Sequence, residues 1–129
     1  MEAKQESRAG NGAASPTRKK VQTVKRDILK YTWAINVIDY RILSKRYLSD
    51  EPTKEQLEAI CIALQAMHMR LKDGTAGPNM YRHIAILEYH IKNPGAVLCR
   101  DVNTVDALTA GIFSLKWAKQ QAEKEEVTE

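Results

Sequence analysis

The stretch VQTVKRDILKYTWAINVIDYRI, residues 21–42, decides the fold. Val21, Val24, Ile28, Tyr31, Ile35, Ile38 and Ile42 recur at alternating intervals of three and four. That is the spacing of one face of an α-helix, held here for three heptads. No Gly or Pro falls between Arg18 and Pro52. The pattern predicts one continuous helix from 18 to 48, roughly 46 Å long at the α-helical rise.

The same stretch carries a second pattern. Leu29, Trp33, Tyr40 and Tyr47 form another apolar stripe on the helical wheel, roughly opposite the first. Between the two stripes runs a basic row of Arg26, Lys30, Arg41 and Lys45. A helix apolar on two faces is either central in its fold or shared with another chain.

On the N-terminal side, residues 1–17 are rich in Gly, Ala, Ser and charge, with Met1 as the one large apolar residue. Such a segment buries too little to order itself, which predicts a flexible arm. On the C-terminal side, SDEPT ends the first helix. Asp50 or Thr53 can cap a second helix, and Thr53 with Gln56 has capping-box spacing. Leu57, Ile60, Leu64, Met67 or His68, and Leu71 make its inner face, and Gly74 is its C-terminal cap. A third helix runs from about Pro78 to Lys92 on Met80, Ile84, Leu87 and Ile91, and is stopped by NPG. AVLC, from Ala96, fits an extended piece or a helical turn equally well. Asn103 is the expected N-cap of a fourth helix, with Asp106 in its first turn. Val105, Leu108, Ile112 and Leu115 form its seam to about Glu126, and Phe113 and Trp117 lie off it.

Four helices with short connections predict an all-α fold, an antiparallel up-down-up-down four-helix bundle over 18–126. The disordered arm precedes it and an acidic end, 127–129, follows. With 129 residues, one domain is the default. Hydrophobic residues make up 43% of the chain, enough for one modest core. No apolar run reaches a membrane-spanning length, and the N-terminus lacks a secretory h-region. Cys61 and Cys99 sit in apolar contexts, with no CxxC pair. They read as small buried hydrophobes in a reducing, intracellular compartment, cytoplasmic or nuclear.

The net charge is +4, but it is unevenly spread. Arg18 to Arg46 holds nine basic residues against Asp27 and Asp39, whereas Glu123 to Glu129 holds four acids against Lys124. This asymmetry points to nucleic acid, an acidic surface, or pairing within the fold. In an up-down-up-down bundle the acidic end would lie near the basic start.

Chemistry-bearing motifs are missing. There is no P-loop, Gly-rich dinucleotide turn, GxSxG or HExxH. His68, His83 and His90 show neither HxxxH nor ExxH spacing, so no metal is expected. His68, or His83 with Glu88, would meet only through the tertiary fold. The carboxylate pairs at Glu51/Glu55, Glu55/Glu58, Glu123/Glu126 and Glu125/Glu129 lie at helix ends or in the tail, where nothing raises a pKa toward catalysis. The expectation is a protein that is no enzyme, has no cofactor and no small-molecule substrate, and contacts no membrane.

Three uses remain for the aromatics of the first and fourth helices: finishing the core, joining subunits, or stacking unpaired bases. The reading adopted is a small accessory or structural subunit that self-associates and binds nucleic acid, DNA or RNA. Phosphates would be met by Arg18, Lys19, Lys20, Lys25, Arg26 and Lys30, extended by Arg41 and Lys45. The subunit interface would use Leu29, Trp33, Tyr40, Tyr47, Phe113 and Trp117. The alternative is a protein-binding adaptor with the same aromatic stripe and no nucleic-acid contact.

Overall fold

The computed structural model describes residues 16–44, 51–98 and 101–128, with side chains described over 23–44, 51–98 and 101–125. Four helices are present: α1 (Pro16–Asn36), α2 (Lys54–Asp73), α3 (Met80–Lys92) and α4 (Val102–Thr128). They form a helical bundle with no strand among the described residues.

The first helix departs from expectation in one respect. Its α-geometry ends at Asn36 and gives way to a π-helical segment, Val37–Leu43. There the hydrogen bonds reach back five residues, as from Ser44 N–H to the Asp39 carbonyl at 2.9 Å. The wider turn still buries Val37, Ile38 and Ile42. It does so by changing residues per turn where a uniform 3.6-residue helix was expected. The Ser44 hydroxyl also donates to the Tyr40 carbonyl.

The limits of α2 follow from its end chemistry. Thr53 Oγ1 accepts from the Gln56 backbone N–H at 3.1 Å, and Gln56 Oε1 accepts from the Thr53 N–H at 2.9 Å. This reciprocal pair is the capping box the spacing implied. At the other end Gly74 adopts φ 81°, and its N–H reaches the Arg70 and Leu71 carbonyls. A left-handed residue there favours glycine because a Cβ would be strained. In α3 the Asn93 N–H and side-chain amide both donate to the Tyr89 carbonyl, closing the helix before Pro94.

The cap of α4 is Asp101, two residues before the expected Asn103. Asp101 Oδ1 accepts from the Thr104 N–H at 2.7 Å. A carboxylate forms this bond more strongly than a neutral amide and suits the positive helix end, so the acid takes the position. Ala96 to Leu98 is not helical, and Leu98 is buried.

α4 packs against all three other helices, whereas α1 and α3 make no contact with each other among the described residues. The square bundle is thereby flattened into a rhombus, with α2 and α4 across its short diagonal. Small residues permit this. Ala59, Ala63 and Ala66 on α2 and Ala107, Gly111 and Ala118 on α4 are buried. A Cβ on Gly111 would lie 3.2 Å from Ala63 Cβ and 3.7 Å from Leu87 Cδ1. Around this seam Ile38, Ile42, Ile60, Met67, Leu87, Leu108 and Leu115 complete the core. Met67, not His68, takes the inward position on α2; His68 is exposed.

α1 and α4 run antiparallel. One groove between them is lined by Thr32 and Asn36 from α1 and by Lys116, Gln120 and Glu123 from α4. Another is lined by Thr23 and Asp27 from α1 and by Gln121 and Glu125 from α4. Rising numbers on α1 thus meet falling numbers on α4. The acidic end of α4 lies beside the early turns of α1.

Candidate interaction face

Each helix of the α1–α4 pair has one side in the core and one side facing outward. On α1 the outward ridge carries Lys25, Leu29, Thr32, Asn36 and Tyr40, spaced by three or four residues. On α4 it carries Phe113, Lys116, Gln120 and Glu123. The groove of Thr32, Ile35, Asn36, Lys116, Lys119 and Gln120 runs between these ridges. Leu29, Tyr40 and Phe113 are 70%, 69% and 59% exposed, although all three are large and apolar or aromatic. Tyr40 lies one turn beyond Asn36, and Phe113 lies just under one turn before Lys116. The antiparallel arrangement therefore puts Tyr40 and Phe113 toward the same end of the groove, on opposite sides of it.

Trp33 and Trp117 behave differently. Both are half-buried and pack against the core, so they brace the edges of this face from within. Tyr47 and Lys45 lie outside the described residues.

The basic side chains also separate into groups. Arg41 reaches Glu55 on α2, with 3.4 Å between Nη1 and Oε1. Lys30 lies 3.7 Å from Asp27 Oδ1, and its ammonium sits 5.4 Å from the Tyr31 ring centroid. These pairs are exposed, and such pairs contribute little to stability, but they do occupy the cations. Lys25 and Arg26 are exposed and form no ion pair among the described residues. Arg18, Lys19 and Lys20 belong to the first turns of α1, where side chains are not described.

Sequence reasoning missed Lys116 and Lys119. Their signal was available only jointly with the register: on α4 alone they are ordinary solvated lysines, and they become part of a face once α1 lies beside them.

A second concavity, about 750 Å³ in volume, lies between α3 and the start of α4. Ile86, Tyr89, Val97, Asp101 and Thr104 line it, together with His90. His90 is only 6% exposed, and its Nδ1 has no hydrogen-bond partner among the described residues. Its ring meets Tyr89 edge-on at 5.3 Å. Burial pushes its pKa below the ordinary value, while the Asp101 carboxylate pulls the other way. Asp101 itself is held low, chiefly by the hydrogen bonds it accepts from Thr104. That carboxylate already serves the helix N-terminus, so the end of α4 does not present an open anion site.

His68 and Glu88 do meet through the tertiary fold, with 3.8 Å between Nε2 and Oε2. Both are solvent-accessible, and no cluster of three potential metal ligands occurs among the described residues. Cys61 is half-buried and unbonded, more open than a core position, and burial raises its thiol pKa. Cys99 lies outside the described residues. No helix among the described residues is long and apolar enough to cross a membrane.

No family model, curated protein or solved structure matches the chain.

Proposed function

We propose that the chain is a small non-enzymatic accessory or structural subunit that self-associates and binds nucleic acid. The supporting observation is a division of labour on α1. Lys25 and Arg26, near its start, are exposed cations with no ion-pair partner among the described residues. Further along, Leu29 and Tyr40 face outward with Phe113 of α4. The first set suits phosphates, and the second suits an apolar partner.

In this reading Arg18, Lys19, Lys20, Lys25 and Arg26 neutralise phosphates and release counterions. Lys30 and Arg41 contribute less because Asp27 and Glu55 compete for them. Binding weakens steeply with salt and carries little sequence preference. The test is a titration against generic single- and double-stranded DNA and RNA at low and moderate salt. Wild type binds at low salt, and reversal of Lys19, Lys20, Lys25 and Arg26 to Glu abolishes the contact. Absence of wild-type binding at low salt rejects the nucleic-acid half of the proposal.

Leu29 favours a second reading, a protein-binding adaptor. An aliphatic side chain offers no stacking surface to a base, yet it is among the most exposed large apolar groups on the face. Retained self-association in a protein that binds no nucleic acid selects this reading.

A further inference from the structure

We propose that a second copy of this chain docks on the outer face of α1 and α4, with a two-fold axis lying lengthwise along their groove, so that Tyr40 of each copy packs on Phe113 of the other. This rests on the self-association half of the reading above and adds its geometry.

The argument begins with the antiparallel register. A half-turn about an axis along the groove carries α1 of the second copy over α4 of the first. It leaves every residue at its own level. Tyr40 and Phe113 both lie toward the same end of the groove. The operation therefore lays Tyr40 over Phe113 twice, making a cluster of four rings around the axis. Aromatic pairs of this kind are favoured anchors at the centre of interfaces. Isologous contact is also the commonest way for a small chain to close an assembly.

Charge favours the same axis. Lys25 lies toward the end of α1 that runs beside the acidic end of α4, where Glu123 is on the outward ridge. In the second copy Lys25 is brought over that end, so two symmetry-related Lys25–Glu123 contacts lie together at one end of the interface and the rings lie at the other. An axis running across the groove instead stacks α1 on α1 and α4 on α4. Crossing mid-groove, it carries the rings of the two copies to opposite ends of the face; crossing at the rings, it leaves the rest of the groove uncovered. The lengthwise axis satisfies both the rings and the charges. In the dimer Lys25 leaves the phosphate-binding set for this contact, whereas Arg26, one residue on, points away from the outward ridge and stays open to nucleic acid.

The test uses the full chain with Cys61→Ser and Cys99→Ser as background. Sedimentation velocity over a range of protein concentrations gives the oligomeric state. Tyr40→Cys and Phe113→Cys single variants are then mixed and treated with a mild thiol oxidant, with Tyr89→Cys as a control on α3. The expected result is a dimer whose disulfide forms in the Tyr40→Cys and Phe113→Cys mixture and exceeds that in either variant alone or in any mixture with Tyr89→Cys. Phe113→Asp, at an exposed site where helicity by circular dichroism should persist, raises the dimer Kd at least about 30-fold. A monomeric wild type overturns self-association altogether. A dimer that cross-links no better through Tyr40 and Phe113 than through Tyr89 overturns this geometry and leaves self-association standing.

Discussion

Gln56 donates its side-chain amide to the backbone carbonyl of Arg41, 3.1 Å away, while its Oε1 accepts from the Thr53 N–H. One buried amide thus ties the π-helical segment to the start of α2. The segment needs such a partner, because carbonyls near a change of helical geometry lose their regular acceptor role. Gln56→Ala removes both bonds and takes this donor from the Arg41 carbonyl. The expected cost is roughly 2–3 kcal/mol. Thr53→Ala, which loses only the cap, should cost about 1 kcal/mol. Urea unfolding of both variants checks the order. Equal losses would mean that the link to Arg41 contributes nothing.

Gly111 sets how closely α4 approaches α2. An added Cβ stands 3.2 Å from Ala63 Cβ, tighter than ordinary contact and against a short side chain that has nowhere to turn. Gly111→Ala gains about 1 kcal/mol of helix propensity but overpacks the seam by roughly 1–3 kcal/mol. The net expectation is destabilisation. Ala63→Gly in the same chain should recover part of it, giving a measurable coupling in a double-mutant cycle by urea unfolding. Additive effects would place the strain elsewhere.

Much of this architecture was legible because its signals are local. The 3-4 spacing from Val24 to Ile35 needs only one helix, and the Thr53–Gln56 box and Gly74 mark α2 within a few residues. The π-helical turn was not legible. A wheel drawn at a constant 100° assumes the regularity that Val37–Leu43 breaks, and the Gln56 bond that supports the break comes from another helix. The face itself was half legible. Leu29, Tyr40 and Phe113 were visible as apolar residues off the main seams. That Tyr40 and Phe113 lie toward the same end of one groove, while Trp33 and Trp117 turn partly inward, depends on how α1 is set against α4.

The two candidate caps of α4 separate cleanly in experiment. Asp101 accepts the Thr104 N–H, whereas Asn103 lies inside the helix and exposed. Asp101→Ala should lower thermal stability, and Asn103→Ala should leave it nearly unchanged. The Asp101 contribution also carries a pH signature. Its folded pKa lies below the ordinary 3.8, through the hydrogen bonds from Thr104. The stability it supplies is complete above that ordinary value and disappears as pH falls through the folded one. Asp101→Ala should therefore differ from wild type at neutral pH and converge with it in strong acid. A constant difference across that range contradicts the assignment.

His90 titrates in the opposite regime. Desolvation beneath Tyr89 and the 94–98 segment lowers its pKa from the ordinary 6.5, with Asp101 opposing more weakly. The unfolded chain takes up this proton near 6.5, while the folded chain resists it to lower pH. Between those values the unfolded state holds more protons, so stability rises with pH. The contribution of neutral His90 is complete above 6.5. It erodes as pH falls through the unfolded value, and the loss is complete below the folded value. Wild type is compared with His90→Gln, which keeps a polar side chain at the site and removes only this ionisation. Unfolding free energies measured by urea from pH 8 to pH 4, on the order of one titration span either side of 6.5, should show the gap between the two proteins narrowing toward acid. A gap that stays constant would show that His90 is protonated as readily in the folded chain as in the unfolded one.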